Sequence, residues 1–539
     1  MVLYYIVVFS FIYVLFYKTK RYLHMLQQNL YNENNRYLKW VWKNYEQFLD
    51  MDIIVVAISL IGYLIIFDLN KFTFMANVAI IILNIIMGYK WKKKIVNDQN
   101  KKPLVVTARV KRLIFTIGIL YLIPLSLTIY NGHVDNLQCV WMCLFISSLM
   151  LFLNCYVVFI ANIINFPIEK CVYIHFKRKA QKKLKSMTNL KIIGITGSYG
   201  KTSSKNILSD ILSVKYNTLP TPRNLNTYNG LIMTVNNYMD KFTDIFIAEM
   251  GAYVKGEIKG LCNLVKPKYG ILTTIGTAHL ESFGSEQNII DGKFELIESL
   301  PSDGFAILNG DDPKQVNYKL KNKVKTIWIG INNPDVSVRA SNIKCSGTGT
   351  SFDVSFAGDN KKYHFTTKLL GNHNVYNILA GIACGREFGI EIEDLINAVK
   401  MVKPVEHRLE VKRLGAFYQI DDAYNSNPVG AANACQVLKM MDGIKVVVTP
   451  GMIELGDKEA EYNKKFGEEI AESCDYAVLI GEKRTKPIYE GIISTGFNKD
   501  NIVVYNDVRE AYAFINSLCN GKDEVYALFE NDLPDTYNE

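Results

Sequence analysis

The strongest constraint on the fold of this 539-residue chain is a series of five apolar stretches confined to its first third. A helix needs about 20 mostly apolar residues to cross a bilayer, so the shorter stretches require flanking residues as well. We therefore predict a membrane domain of about five helices over residues 1–170. The five stretches are Val2–Tyr17, Ile53–Phe67, Phe74–Met87, Leu113–Tyr130 and Val140–Phe166.

Basic residues alternate along the connections between these stretches. They are frequent after the first, third and fifth stretches, whereas only Lys71 follows the second and "NGHVDN" after the fourth has no Lys or Arg. Because cytoplasmic loops are enriched in Lys and Arg, the first end is predicted outside and everything from Lys170 onward inside. Alternatively, two short stretches form a re-entrant or buried hairpin, which changes the number of spans by two and leaves the orientation unchanged.

The distribution of charge and of cysteine excludes several classes of protein. Residues 1–190 contain 23 Lys and Arg against 8 Asp and Glu, whereas the remainder contains 38 against 44. The basic excess is thus confined to the apolar part, and no nucleic-acid partner is predicted. The ten cysteines form no C-x-x-C pair, so neither a zinc site nor a disulfide framework is predicted.

A phosphate-binding loop is predicted at Gly197–Thr202, "GSYGKT", between a strand at Leu190–Thr196 and a helix. Loop N–H groups and the helix dipole favour phosphate oxygens in this arrangement. Lys201 would reach the β- and γ-phosphates of a nucleotide, and the Thr202 hydroxyl would hold Mg²⁺. Ile195 occupies the first glycine position of the strict motif, so the match is partial. The helix is predicted from its apolar face, formed by Ile207, Leu208, Ile211 and Leu212.

Two further strand ends supply candidate metal ligands. The strand Asp244–Ala248 ends in Glu249, where a carboxylate beside the phosphate loop suits Mg²⁺. His279 follows the strand Tyr269–Thr274. A lone His is usually structural, but its place near the acidic segment and the nucleotide loop favours a ligand role. The next segment, "EQNIIDGKFELIESL", is predicted as a helix that carries a lysine.

The chain downstream of the apolar stretches divides into an α/β central domain over residues 187–403 and a second domain over 404–539. A basic linker over 171–186 precedes them. The central domain contains an alternating segment over 336–370 that predicts antiparallel strands. In the second domain, "YQIDDA", "IKVVVTPG", "DYAVLIG" and "NIVVYND" are buried-strand patterns separated by helices. They predict a Rossmann-like, doubly wound parallel sheet.

An ordered series of motifs from about Leu190 to Leu528 resembles the Mur ligases. Within that family the resemblance is strongest to the ligases that add D-alanyl-D-alanine to a peptidoglycan precursor. The series spans about 340 residues and is therefore far more specific than any single motif. The motifs are "GITGSYGKTSSK", "TPRNLNTYNG", "AEMGAYVKGEI", "TTIGTAHLESFGS", "DGKFEL", "LLGNHNVYNILAGIA", "HRLE", "DDAYNSNP" and "GMIELGD".

The resemblance implies an ATP-dependent ligase of cell-wall synthesis with ATP and Mg²⁺ as cofactors. Such enzymes activate a substrate carboxylate as an acyl phosphate, which an amine then attacks to form an amide. The implied partners are a peptidoglycan-precursor peptide, an amino acid or dipeptide such as D-Ala-D-Ala, and membrane lipid. The implied location is the bacterial cell membrane, with several spans and cytoplasmic catalytic domains.

The resemblance also implies roles for residues around the transferring phosphate. Lys201, His279 and Lys293 are the implied catalytic residues. Thr202, Glu249, His279 and Lys293 are the implied Mg²⁺ ligands. In several members the position of Lys293 is carbamylated, which converts a cation into a carboxylate-like ligand. The alternative is an unmodified lysine on a helix surface.

The implied nucleotide contacts come from both domains. Asn377 would contact adenine, Arg408 phosphate, and Asp422 the ribose, with Tyr424 and Asn425 in the same loop. On its own, the "DDAYNSNP" segment is also a favourable turn. The implied contacts of the phosphate loop are Gly197, Ser198, Tyr199, Gly200, Lys201, Thr202 and Ser203.

Asn224, Asn226 and Thr227 match the family's loop near the acceptor carboxylate, with Arg223 where glycine is usual. A second departure is that the apolar stretches stand in place of the domain that binds the UDP-sugar. This favours the hypothesis of a lipid-linked or otherwise membrane-presented acceptor. The alternative function is an ATP-binding regulator or scaffold of cell-wall synthesis without ligase turnover.

Overall fold

The computed structural model describes two compact units, Met1–His175 and Phe176–Glu539, here named the helical unit and the α/β unit. Their boundary falls within the segment 171–186 that was predicted as a linker. The described residues are 2–44, 51–64, 70–97, 103–276, 280–346, 349–404, 408–423, 426, 428–453, 455, 458–521 and 523–531.

All regular secondary structure in the described residues of the helical unit is helical. Among the described residues, four helical segments are long and apolar enough to cross a membrane: Val2–Gln28, Thr73–Val96, Ala108–His133 and Asn154–Ser186. Two further apolar helices, Asp52–Leu64 and Leu137–Phe152, are shorter. The helices are α1 Val2–Gln28, α2 Arg36–Lys43, α3 Asp52–Leu64, α4 Asn70–Asn97, α5 Ala108–His133, α6 Leu137–Phe152 and α7 Asn154–Ser186, the last continuing into the α/β unit.

The fifth apolar stretch is not one helix, because the chain breaks at Leu153 between α6 and α7. Side chains from other helices satisfy carbonyl groups at the break. The Tyr121 hydroxyl donates to Met150 O at 2.7 Å and Lys18 Nζ donates to Leu151 O at 2.9 Å. Lys18 also forms a buried ion pair with Asp52. These donors make the interruption tolerable in an apolar environment, where unpaired backbone groups are costly.

Close helix packing in the helical unit depends on Gly62 of α3. A Cβ atom there would lie 2.4 Å from the buried Trp141 ring of α6. We expect Gly62→Leu to destabilise the chain by about 1–3 kcal/mol, because overpacking a close interface forces the helices apart. The measurement is the melting temperature of the detergent-solubilised chain. Gly118→Leu is the matched control, since a Cβ at Gly118 meets nothing within 4 Å, and an equal effect of both variants would contradict the prediction.

The first sheet of the α/β unit has nine strands in the order β2-β3-β1-β4-β5-β6-β7-β8-β9. Pairing is parallel from β2 to β7 and antiparallel between β7, β8 and β9. The antiparallel segment predicted over 336–370 is thus confirmed. The strands are β1 Lys191–Thr196, β2 Thr218–Pro220, β3 Ile245–Glu249, β4 Tyr269–Leu272, β5 Phe305–Asn309, β6 Lys325–Gly330, β7 Val338–Ser346, β8 Gly349–Phe356 and β9 Lys362–Thr367.

Helices connect and cover this sheet. They are α8 Lys201–Leu212, α9 Tyr228–Asn237, α10 Glu257–Val265, α11 Leu280–Phe283, α12 Glu286–Glu298, α13 Pro313–Val316, α14 Asn372–Glu387 and α15 Ile392–Met401. The predicted apolar face of α8 is buried in the hydrophobic core between this sheet and its helices. A Cβ at Gly381 of α14 would lie 2.5 Å from the Ile211 side chain of α8. This close approach brings α8, which follows the phosphate loop, against α14.

The second sheet has six strands in the order β10-β11-β15-β12-β13-β14. All pairs are parallel except β10 with β11 at the edge, so the predicted doubly wound sheet is confirmed. The elements are β10 Glu410–Leu414, β11 Phe417–Asp422, α16 Pro428–Lys439, β12 Ile444–Thr449, α17 Glu459–Ser473, β13 Tyr476–Ile480, α18 Glu482–Ser494, β14 Ile502–Tyr505, α19 Val508–Leu518 and β15 Val525–Glu530.

Candidate active site

The loop between β1 and α8 has the geometry of an anion cradle. Gly200 is the N-cap of α8 with φ 78°, and a Cβ at Gly197 would lie 1.9 Å from Thr273 Oγ1. The loop is fixed to the end of β4, since Ser198 N donates to Thr274 O at 2.8 Å and Thr273 Oγ1 donates to Tyr199 O at 2.6 Å. The loop is thus held with α8 directly behind it, as phosphate binding requires.

Lys201, the first residue of α8, folds over this loop. Its Nζ donates to Gly197 O at 2.7 Å and to Ser198 O at 3.1 Å. Burial lowers the pKa of Lys201, while the nearby Glu249 carboxylate acts in the opposite direction. The ammonium group therefore lies against the loop that was predicted to bind phosphate.

Glu249 is the centre of a buried polar cluster at the carboxyl ends of β1 and β3. The parallel register places it beside Ile195. Thr202 Oγ1 lies 3.2 Å from each carboxylate oxygen, and Asn226 Nδ2 donates to Oε1 at 3.0 Å. Lys205 Nζ lies 3.0 Å from Oε2, with both side chains 2% exposed. Sequence reasoning missed Lys205, although it lies one helical turn after Lys201 on α8.

The donor set fits a Mg²⁺ ion held mainly by phosphate and water. Thr202 and Glu249 supply hydroxyl and carboxylate oxygens, the hard ligands that Mg²⁺ prefers, and Mg²⁺ usually takes few ligands from protein. Within the described residues there is no group of three or more His, Cys, Asp or Glu side chains arranged to bind a metal. Of the other two predicted ligands, Lys293 lies on α12, and His279 lies outside the described residues.

Lys293 of α12 is buried rather than on the helix surface, with 1% of the residue exposed. Its Nζ lies 5.4 Å from the centroid of the Phe283 ring. Burial, and next the positive charge of Lys201, lower the pKa of Lys293 to about 7. With this pKa, a substantial fraction of Lys293 is neutral near pH 7. The neutral amine is the form that reacts with carbon dioxide. The position therefore suits the predicted carbamylation chemically.

The predicted acceptor loop lies between β2 and α9. Thr227 is the N-cap of α9 and accepts a hydrogen bond from Gly230 N at 3.3 Å. Asn226 points to Glu249, whereas Asn224 is exposed and its carbonyl accepts from Asn226 N at 2.8 Å. Only Asn226 is thus placed in the polar cluster itself.

A cleft of about 480 Å³ lies between the two domains of the α/β unit. The Asn377 amide oxygen faces the phosphate loop, 3.7 Å from the position a Cβ would take at Gly200. Tyr424 and Asn425 lie outside the described residues. The cleft is lined by the predicted residues Tyr199, Gly200, Ser203, Asn377, Arg408 and Asp422.

Glu530, at the end of β15, is a second residue that sequence reasoning missed. It is 1% exposed, and its Oε1 accepts from Ser426 Oγ at 2.6 Å. Burial and then the nearby Asp422 carboxylate raise the pKa of Glu530, and burial also raises the pKa of Asp422. The signal was available, because a buried strand ending in a carboxylate is the pattern that identified Glu249.

His373 lines the same cleft and is predicted to make stability depend on pH. Burial lowers its pKa from 6.5 to about 4, so the unfolded chain binds more protons than the folded chain between these values. The contribution of His373 to the free energy of unfolding is therefore lost as pH falls from 6.5 towards 4, and the loss is about 2 kcal/mol at pH 5. We expect His373→Gln to lose less stability than wild type between pH 7 and pH 5, measured by melting temperature. Parallel losses in the two proteins would contradict the prediction.

Comparisons with known proteins agree with this architecture. The family model of the Mur ligase middle domain matches residues 195–385, and that of the Mur ligase glutamate ligase domain matches residues 407–527. The UDP-N-acetylmuramoyl-tripeptide–D-alanyl-D-alanine ligase of Bacillus subtilis (strain 168) is 33% identical over 324 residues, or 59% of this chain and 68% of the relative. The Escherichia coli (strain K12) ligase of the same name is 31% identical over 296 residues, which cover 54% of this chain and 65% of the relative. The chain thus spans about two thirds of the length of these relatives.

Solved structures give the same result. MurF from Acinetobacter baumannii superposes with a TM-score of 0.59 at 26% identity, covering 67% of this chain and 77% of that one. MurF ligase from Thermotoga maritima, in complex with ADP, has a TM-score of 0.58 at 23% identity, covering 66% and 80%, and supports the fold alone. The predicted fold class, the enzyme class and the similarity to MurF are confirmed by these findings. The chain belongs to the Mur ligase family.

Proposed function

We propose that this chain is an ATP-dependent ligase that joins an amine to a carboxylate of a peptidoglycan-precursor peptide. The observation that carries the proposal is the convergence of Lys201, Thr202 and Glu249 beside one interdomain cleft. A cradle for the β- and γ-phosphates, a cation for the transferring group and oxygen ligands for Mg²⁺ meet there. Phosphoryl transfer requires this combination because catalysis consists mainly of positioning and charge stabilisation.

The proposed reaction has two steps. A carboxylate oxygen of the acceptor takes the γ-phosphoryl group of ATP, and ADP leaves. The amine nitrogen then attacks the carbonyl carbon, phosphate leaves, and the nitrogen loses a proton. Lys201 would stabilise the charge on the transferring group, and the loop N–H groups would orient it. Mg²⁺ held by Thr202 and Glu249, with His279 and the carbamylated form of Lys293 contributing, would neutralise phosphate charge.

The two domains would divide the binding of ATP. Asn377 would contact adenine, and Arg408 and Asp422, from the second domain, would contact phosphate and ribose. Because Asn377 belongs to the central domain and Arg408 and Asp422 belong to the second, closure of the domains on ATP would exclude water from the acyl phosphate. D-alanyl-D-alanine is the proposed amine and a muramoyl-tripeptide the proposed acceptor, since the names of the relatives specify both.

The experiment is ADP release by the full chain with UDP-N-acetylmuramoyl-tripeptide and D-alanyl-D-alanine. We expect sustained ADP release, beyond one turnover per enzyme, only when both substrates are present, together with a ligated product of the summed mass less water. Mixtures that lack the amine or the acceptor are the controls. ADP release without either substrate would indicate ATP hydrolysis that is not coupled to ligation, and ATP binding without any turnover would indicate the regulator or scaffold; both results contradict the proposal.

We further propose that the chain is a multi-pass protein of the cell membrane whose catalytic domains are cytoplasmic. The four long apolar helices and the alternation of basic connections support this location. The basic end of α7 packs along α9, since Asn236 Nδ2 donates to Phe176 O at 3.0 Å and Lys177 Nζ lies 5.4 Å from the Tyr228 ring centroid. α9 begins directly after the acceptor loop, so the basic end of α7, which belongs to the α/β unit, contacts the helix that follows this loop.

The apolar helices, which stand in the sequence where the family has a UDP-sugar-binding domain, support an acceptor presented at the membrane, with lipid as a partner. The test compares the rate of ligation of soluble UDP-linked peptide with that of lipid-linked peptide in vesicles. We expect the lipid-linked acceptor to be ligated faster. Equal rates for the two acceptors would contradict a membrane-presented substrate and leave the ligase proposal intact.

A further inference from the structure

Arg223, in the loop before α9, has a backbone conformation that disfavours a side chain. Its φ is 49°, in the left-handed region that glycine adopts readily and other residues rarely. The conformation is fixed by contacts of the surrounding loop. Lys205 Nζ donates to Arg223 O at 2.7 Å, and Leu225 N donates to Pro222 O at 3.1 Å. Glycine would satisfy the same contacts without strain, so an arginine here requires another explanation.

The Arg223 side chain has no polar or ring contact with the described residues that would stabilise the fold. The residue is exposed, and within the described part of the chain its guanidinium forms no hydrogen bond, ion pair or ring contact. Strain that is retained without an intramolecular contact to offset it is typical of functional positions. The guanidinium is therefore available to a ligand.

The position of Arg223 relates it to the acceptor. Its carbonyl is held by Lys205, which pairs with Glu249 of the polar cluster. Three residues further on, Asn226 donates to the same carboxylate. The backbone of Arg223 is thus tied to the residues of the proposed phosphoryl-transfer site, while the residue itself is exposed to solvent.

We propose that Arg223 binds an anionic group of the acceptor, a diphosphate or a peptide carboxylate other than the one that is activated. This inference rests on the proposed ligase function and adds a determinant of acceptor specificity. The planar guanidinium matches phosphate and carboxylate oxygens with two parallel hydrogen bonds. The relatives' acceptor carries a diphosphate in its UDP group, which makes that group the first to test.

The experiment measures KM for UDP-N-acetylmuramoyl-tripeptide, ATP and D-alanyl-D-alanine in the full chain and in Arg223→Gly. Loss of a charge-assisted contact is expected to raise KM for the acceptor roughly 10- to 100-fold and to leave the other two values unchanged. The melting temperature should equal or exceed that of wild type, because glycine relieves the strain. Arg223→Lys should recover only part of the affinity, since lysine lacks the planar fork.

Lys266→Gly is the matched control. Lys266 is also exposed and cationic, has φ 53°, and lies at the C-cap of α10 outside the acceptor loop. Its replacement should relieve strain in the same way without changing any KM. If Arg223→Gly and Lys266→Gly give the same acceptor KM, the role of Arg223 is contradicted while the ligase function stands.

A second acceptor, muramoyl-tripeptide without UDP, distinguishes the two candidate anions, the diphosphate and a peptide carboxylate. If the diphosphate is the ligand, Arg223→Gly raises KM for the UDP-linked acceptor alone. If a peptide carboxylate is the ligand, KM rises for both acceptors, which also supports the inference. A wild-type chain that neither ligates nor binds either acceptor contradicts the proposed function, and the assignment of Arg223 with it.

Discussion

Replacement of Lys201 with alanine should lower kcat for ligation by about 10²- to 10³-fold or more. The reason is electrostatic: Lys201 is a half-buried cation that lies over the phosphate loop, held by Gly197 O and Ser198 O. Without it, negative charge on the transferring phosphoryl group has no fixed partner at that point. Thr202, Asn377 and Asp422 remain in place, so ATP affinity should fall much less than kcat.

The measurement is coupled ADP release with saturating acceptor and amine, together with direct titration of ATP. Lys400→Ala is the matched control, because Lys400 is an exposed lysine on α15 away from the cleft. We expect the control to retain the wild-type rate. A wild-type kcat in Lys201→Ala would exclude the phosphate loop as the site of phosphoryl transfer.

Removal of either partner of the buried Lys205–Glu249 pair should strongly destabilise the α/β unit. The two side chains are 2% exposed and 3.0 Å apart, so each single change leaves an uncompensated buried charge. Such losses are about 3–5 kcal/mol. Glu249→Gln and Lys205→Met should therefore each lower the melting temperature. The double variant should recover most of the stability because no buried charge is left unpaired.

Measurements of activity distinguish the role of this pair in folding from the role of Glu249 in metal binding. Glu249→Gln and the double variant should both lack ligation at any Mg²⁺ concentration tested, since the amide is a poor Mg²⁺ ligand. The stable but inactive double variant thus distinguishes loss of metal binding from loss of folding. Full activity in the double variant would contradict the assignment of Glu249 as a metal ligand.

Local features of the fold were predictable because local sequence determines them. The apolar face of α8, the glycines of the phosphate loop and the alternation over 336–370 each follow from short-range spacing. The position of Glu249 also followed, since a carboxylate at the end of a buried parallel strand lies at the edge where ligands bind. Chemistry that lies within one strand–loop–helix segment was thus accessible from sequence.

The remaining features depend on partners distant in sequence. The break at Leu153 lies within a continuous apolar stretch, and the donors that satisfy its carbonyls come from Lys18 and Tyr121, in other helices. Lys205 differs from an ordinary helical lysine only by its approach to Glu249, 44 positions away. Glu530 acquires its setting from Ser426 and Asp422 in another strand–loop segment. Sequence periodicity does not specify such pairings.

The most direct test of the account follows an oxygen atom. The acceptor is prepared with ¹⁸O in the carboxylate that is to be ligated, and the phosphate released during the reaction is analysed by mass spectrometry. Activation as an acyl phosphate predicts one ¹⁸O atom in the released phosphate for each amide formed. Unlabelled phosphate, released with or without amide, would contradict it.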